Sequence, residues 1–534
     1  MGFRYIVRIL IAWTGIASLT GCIEKRSDEE MKDSIVYGYE DTIYTFDPAK
    51  QRMMKENAVM AQVLEGLTRW NNDIVLEPAL ATHWEQTDNC RTWTFFLRPN
   101  VKFHDGTAFD STAVKLHFER LLDPATASTK RHLITHIESI STPEPLRVVF
   151  RLKDPDCTTP ENFSGIFAAI PSPTAVEKNA PPIAVHPVGT GPFRFVEWVP
   201  DVRIVMERNP DYWNPDVVKL RRLEFRPVPE ATTRLIQLEQ GVLDMADIAF
   251  THVKMAADSP YIELQTVPQL AIRYIGFNVQ KPPFNDVRVR RAANYAVNRE
   301  ELIKHQFFGV GQAAQGPLPP VLPGFNPEIE RYEYNPEKAK QLLAEAGYPN
   351  GLKAVFWTME KGAYSLAAEA AVEDLRQVGI EVELIKFENA SYWKKFDAYL
   401  TEDGRRFPTA DGVFDLYVGG WVGGESEIEY LRPLFRSDST SNNSFYNNPV
   451  VDELLKKFNS IEDPAERQRV VKELQKVITD DAPWIFAYYS QVNVGMNKRV
   501  KGFRVNPSSR YFFTNVYTVD EDAGEKVAME GKTK

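Results

Sequence analysis

At 534 residues the chain is long enough to fold as two to four lobes of about 100–200 residues each, every one with a sizeable core. Its composition is that of a globular protein, 43% hydrophobic and 25% charged, with 63 Lys and Arg against 73 Asp and Glu and a formal net charge of −10. No basic tract occurs, which argues against nucleic acid as a partner, because such binding needs a cationic patch.

The N-terminus reads as an export signal. Arg4 and Arg8 precede an apolar run from Ile9 to Leu19, too short to span a bilayer, which takes about 20 residues. The ending Leu19-Thr20-Gly21-Cys22 resembles a bacterial lipobox, which implies that 1–21 are removed and that Cys22 becomes the lipid-modified first residue. The alternative is an uncleaved membrane anchor. Residues 22–33 are polar and read as a flexible tether. An exported chain permits a disulfide, but sequence does not say whether Cys90 and Cys157 meet.

From there the coarse pattern is α/β. TWTFFLRPNVKFHDGTAF alternates ring and polar residues around a turn at Asp105-Gly106, which predicts antiparallel strands. Leu220–Val228, Glu230–Gln240 and Leu243–Ala249 read as strand, helix and strand, with Gly241 closing the helix. FNDVRVRRAANYAVNREELI reads as helix. In YNPEKAKQLLAEAGYPNG, Asn335 suits the N-cap, Pro336 the first helical position and Gly347 the left-handed position after the end. Leu352–Thr358, Ser365–Val378 and the strand IEVELIKF form a second strand–helix–strand unit.

Catalytic motifs are scarce. His132 and His136 have the i, i+4 spacing of a helical metal pair, but Leu133 stands where a zinc protease needs Glu. Gly309-Val310-Gly311 follows a helical segment rather than a strand, so a dinucleotide loop is not expected. No P-loop and no nucleophile elbow occurs. In KFHDG, hairpin chemistry accounts for Asp105 without any reaction beside His104. Neither catalysis nor a metal or other cofactor is expected.

Several blocks resemble one family. Pro187–Pro215, PVGTGPFRFVEWVPDVRIVMERNPDYWNP, looks like the hallmark of family 5 extracellular solute-binding proteins, the peptide- and nickel-binding components of ABC importers. The stretch from Thr82 to Pro124, and those starting at Tyr274 and Tyr334, are similar to further blocks in the same order. The resemblance implies a periplasmic-binding-protein-like fold of the cluster C type. Two α/β lobes joined by a hinge would close over a ligand, with an extra domain added. By analogy lobe I combines 34–66, 185–270 and 480–517, the extra domain is 67–184, lobe II is 271–479, and 518–534 is a tail. It further implies a monomer at the cell envelope that hands its solute to a permease and its ATPase subunits.

The resemblance also places the ligand site. Peptide-binding members carry an Asp three residues after a Gly-Trp pair to accept the ligand's amine. Here Trp421 is followed at that spacing by Gly424, then Glu425, Glu427 and Glu429. Either Glu425 reaches in, or Glu427 shifts into the role, or the amine pocket is gone, and Glu429 reads as the wet side or a helix start. Dipeptide binders also place an Arg in the stretch matching MEKGAYSLAAEA. It has none, and Lys361 is its nearest cation, with Tyr364 and Tyr44 as further candidates for ligand contact. A nickel-chelate binder and, more distantly, an exported hydrolase using Glu425 and Glu427 from one strand face are the alternatives.

Overall fold

The computed structural model describes residues 26–51, 54–177, 182–400 and 414–519. The export segment, Cys22 and the tail beyond 519 lie outside them. Among the described residues no helix is long and apolar enough to cross a membrane.

Local sequence decides the elements much as read. Glu230 caps the helix Ala231–Glu239 by accepting from the Thr232 and Thr233 amides, and that helix joins the strands Arg222–Pro227 and Met245–Asp247. Asn335 caps Pro336–Glu345 through the Lys338 amide, and Gly347 takes φ 94° just past the helix, the left-handed region in which glycine meets no penalty. Two readings change. The segment after Phe284 is two helices, Val287–Ala296 and Arg299–Gln306, because Asn298 caps the second by accepting from the Glu301 amide. His132 sits in a single 3-10 turn, Arg131–Leu133, and His136 precedes a strand, so the pair shares no helical face.

One mixed sheet carries the molecule. Its order is Ile380–Phe387, Leu352–Met359, Leu416–Val422, Ile262–Phe277, Trp484–Asn497, Met245–Asp247, Ser34–Tyr39, Arg222–Pro227, Arg203–Arg208 and Phe193–Val199. The two long central strands belong to both halves. Ile262–Pro268 pairs with Gln491–Asn497 on one side, and Ile272–Gly276 pairs with Trp484–Tyr489 on the other. The register breaks between Pro268 and Ile272, where Ser490 instead donates its hydroxyl to the Gln269 side chain at 2.7 Å. That interruption is where two α/β lobes meet.

Each half has its own core. Tyr274 stacks on Trp484 with ring centroids 3.6 Å apart inside the larger one, alongside Phe356, Leu416 and Ile428. Tyr37, Phe225 and Phe513 anchor the other half. A third core, built on Phe95, Phe118 and Phe150, lies under a four-stranded antiparallel sheet of residues 81–152. Cys90 and Cys157 are disulfide-bonded at its edge. Trp70 and Ile74, which lie in sequence between residues of the Tyr37 core and those of the third, pack instead into the largest core.

Candidate functional site

The sheet itself points to a site. Leu352–Met359 runs parallel to both of its neighbours, Ile380–Phe387 and Leu416–Val422. The chain crosses first to one side of it and later to the other, so the carboxyl ends of Leu352–Met359 and Leu416–Val422 diverge at a switch point, the usual ligand crevice of open α/β sheets. Two segments begin there, Glu360–Tyr364 and Gly419–Glu429. The second also touches the lobe junction, because the Gly423 amide and the Tyr430 hydroxyl both donate to the Leu270 carbonyl, at 3.1 and 2.7 Å.

After Val422 the chain turns rather than continuing as a strand, and a helix starts at Ile428. Glu425, Glu427 and Glu429 therefore share no strand face. Glu425 is 2% exposed, and among the described residues its ion-pair partner is the Arg510 guanidinium, 3.4 Å away and 85 residues along the chain. Neither Glu425 oxygen accepts a hydrogen bond from the described residues. Glu427 is buried and accepts from the Gly324 amide at 2.6 Å and the Gln468 side chain at 3.3 Å. Ser426 donates to Glu161, which also pairs with Arg467 at 2.8 Å. Burial raises the Glu161 carboxyl above its ordinary range, Arg467 and Ser426 oppose that rise, and Glu427 adds to it.

Glu429 differs from all of these. Its side chain is exposed to water, yet the surrounding protein mass pushes its carboxyl up to about 7, with the Glu425 charge adding to the rise and Arg510 opposing it. The side chain is thus open to solvent while the protein gathered around it weakens the hydration of its charged form. One carboxylate oxygen accepts from the Gly424 amide at 3.0 Å, and the Glu429 carbonyl accepts from the Trp421 indole at 2.9 Å. A Cβ on Gly424 would stand 2.5 Å from both Glu429 oxygens. The glycine is what lets this carboxylate fold back over the turn. Among the described residues, Glu161, Glu425, Glu427 and Glu429 thus face Arg467 and Arg510, with Arg432 also in electrostatic reach of Glu161 and Glu429, which leaves an excess of one negative charge at the junction. A cavity of about 70 Å³ also touches Arg510, between Gln62, Glu65 and Ser164. That volume is room for a few waters and too small for a peptide.

The neighbouring segment is cationic. Arg273 lies on the long strand opposite Gly420 and Tyr488, half-buried, with its guanidinium 5.5 Å from the centre of the Tyr364 ring. A Cβ on Gly420 would stand 2.7 Å from the Tyr364 hydroxyl and 2.8 Å from Arg273 Nη1, so this glycine keeps a space open between them.

The residues singled out from sequence thus divide. Trp421, Gly424, Glu425 and Glu427 gather at the junction with Glu429, although Glu425 and Glu427 have internal partners. Tyr364 stands at the second segment in the first turn of helix Ala363–Gln377, and Lys361 is exposed in the turn before it. Tyr44 is 70% exposed. Sequence reading set Glu429 aside and did not reach Glu161, Arg510 or Arg273. Only Arg273 carries a sequence signal, as the one charge in the apolar strand LAIRYIGF.

Residues 75–442 match the sequence profile of the middle region of family 5 bacterial extracellular solute-binding proteins. The glutathione-binding protein GsiB of Pectobacterium atrosepticum is 30% identical over 516 residues, 95% of this chain and 98% of that one. Among solved structures, HbpA2 from Haemophilus parasuis superposes with a TM-score of 0.82 at 27% identity, covering 91% of this chain and 100% of that one. DppA from Helicobacter pylori, in complex with the peptide STSA, gives 0.76 at 26% identity, covering 91% and 98%. The chain is a member of the family 5 bacterial extracellular solute-binding proteins.

Proposed function

We propose that this protein captures a short peptide, or a related small solute bearing an amine, between its lobes and delivers it to an ABC permease and its ATPase subunits. The observation that carries the reading is Glu429, an accessible carboxylate held over the Gly424 amide in a cluster with more acids than bases. A ligand ammonium entering there supplies the missing positive charge and forms a charge-assisted hydrogen bond in a desolvated site. Glu425 and Glu427 hold that charge in place from behind. The names of the relatives, which include binders of glutathione and of a four-residue peptide, support the same ligand class. In this account 271–479, with the 484–489 end of the shared strand packed in its core, closes against the body formed by 34–66, 185–270 and the rest of 480–517, and 67–184 meets both, since Glu161 pairs with Ser426 and Arg467. The Glu425–Arg510 pair joins the two when closed. Cys22 anchors the mature monomer by its acyl chains to the outer face of a membrane.

The test is thermal unfolding of the mature protein with di- to tetrapeptides, glutathione included. A ligand at a hundred times its Kd adds about 2.7 kcal/mol of apparent stability. No shift with any of them would remove the peptide assignment. Retention of a Cys22→Ser variant in the membrane fraction would separately remove the lipid anchor.

A further inference from the structure

We infer that the far pole of lobe I, around Arg26, Tyr261, Lys498 and Tyr517, is the surface this protein turns to the membrane, seated against lipid headgroups by a leash of about four residues. The inference rests on the Cys22 anchor proposed above and adds which face that anchor presents.

The polar stretch after Cys22 is tied to the body from Arg26 onward. Arg26 donates to the Asp244 carboxylate at 2.7 Å, and Asp244 is 1% exposed. The same carboxylate accepts from the Val36 amide and from Arg499, each at 2.8 Å. Arg499 in turn donates to the Met31 and Ser34 carbonyls at 2.9 and 2.8 Å. One buried acid thus holds the chain down from Arg26 to the strand Ser34–Tyr39, with the short helix Asp28–Met31 between them. Answered by two guanidiniums and an amide, it is a charge-assisted clamp rather than an exposed ion pair. From Cys22 to Arg26 the extended chain reaches at most about 14 Å, whereas a tether free as far as Ser34 would reach about 40 Å and let any face approach the bilayer.

The sheet topology fixes which pole this is. Asp244 stands just before the strand Met245–Asp247, and Met245 pairs with Met496 near the end of its long neighbour. Ile262, the first residue of the other long strand, faces Asn497. From Ile262 to the junction at Pro268 is about 20 Å of strand, and lobe II lies beyond it. The clamp therefore sits at the end of lobe I remote from the ligand.

The surface there suits a headgroup layer. Tyr261, next to Ile262, is 62% exposed, and Tyr517, paired with Lys501, is 45% exposed. An exposed tyrosine fits a membrane interface, where its apolar body and polar tip each meet a matching phase. Lys32 and Lys498 are exposed at the same pole, and so are Glu29 and Glu30. Such mixed charge is not the polybasic cluster that anionic lipid recruits, so the leash rather than attraction sets the pose.

The experiment uses the mature acylated protein in phosphatidylethanolamine–phosphatidylglycerol vesicles with a spin label on the headgroup. Cys90 and Cys157 are bonded and Cys22 is acylated, so one introduced cysteine takes a fluorophore selectively. It is placed at Lys498, or at the exposed Lys353 at the opposite end of the sheet, beyond the Phe277–Leu416 pair. The label in Lys498→Cys should be quenched at least about threefold more than in Lys353→Cys. Inserting about twelve Gly and Ser residues between Cys22 and Arg26 should bring the Lys498 signal down to the Lys353 level, because a flexible chain of that length lets the body turn. Arg26→Gln, which leaves Asp244 its pair with Arg499, should move it part of the way, and melting reports whether each variant folds. Equal quenching at the two sites without the insertion overturns the inference, as does Lys498 quenching that survives it. Mass spectrometry of Cys22 separates the two readings. A chain without acyl groups removes the anchor and this surface with it, whereas an acylated chain with no preferred face removes the surface alone.

Discussion

Two acidic residues in this chain, Asp105 and Glu429, both follow or precede glycine-rich turns and end in opposite states. Asp105 loses water on folding, but donors from Thr107, Thr174 and Ser172 outweigh that loss and draw its carboxyl down to about 2. Its oxygens accept from the Thr107 amide at 3.0 Å and the Ser172 hydroxyl at 2.7 Å, with Thr107 and Thr174 hydroxyls as well. Glu429 has one amide donor and the Glu425 charge nearby, and rises to about 7. A carboxylate with its lone pairs answered is a piece of structure. One left short of donors, beside other acids and open to water, is a place for a cation.

The contrast can be broken in order of size. Arg510→Ala removes the cation that, among the described residues, pairs with Glu425, which is 1% exposed on its side chain, and leaves a buried charge without compensation. The expected cost is about 3–5 kcal/mol in urea unfolding. A loss under about 1 kcal/mol would mean the lobes do not depend on this pair. Glu429→Gln should cut tripeptide affinity by about ten- to a hundredfold while leaving unliganded stability unchanged or higher, since it removes a like charge from the cluster. Asp105→Asn should do the reverse, costing about 1–2 kcal/mol of stability with affinity unchanged. Crossed results would erase the distinction.

The smallest effect is in pH. Glu429 is raised in the folded state, so between its ordinary value of 4.5 and about 7 only the folded protein keeps that proton. Its contribution to unliganded stability is therefore full below that window and is lost as pH rises through it. Asp105 has the opposite sign: its contribution is present above 3.8 and is lost as pH falls toward about 2. Urea midpoints at intervals across both windows should show the first slope vanish in Glu429→Gln and persist in Asp105→Asn.

Elements set by local chemistry were legible in the sequence. Asn335, Gly347 and the apolar faces of residues 363–377 mark their helices because caps, left-handed glycines and 3.6-residue periodicity act over a few residues. The family blocks carried the architecture. The roles of the three glutamates were not legible, because alternation over 425–429 suggests a strand while Gly423 and Gly424 turn the chain and the helix begins at Ile428. The states of two of them are then fixed by residues far along the chain, namely Arg510 for Glu425 and Gly324 for Glu427. No spacing rule reaches partners about a hundred residues away in the chain. Arg273 had a signal, a lone charge in an apolar strand, whose meaning emerges only once Gly420, Tyr364 and Tyr488 stand around it.

The central claim is that Glu429 receives the ligand's ammonium. An ammonium binds the ionised carboxylate, so ligand affinity must track the proton that Glu429 gives up. Calorimetric titration of tri-alanine between about pH 5.5 and about pH 7, where the peptide amine stays charged, measures this directly. Affinity should rise about tenfold across that range in the wild type and stay flat in Glu429→Gln. A flat wild-type profile, or the same rise in the variant, would contradict the account.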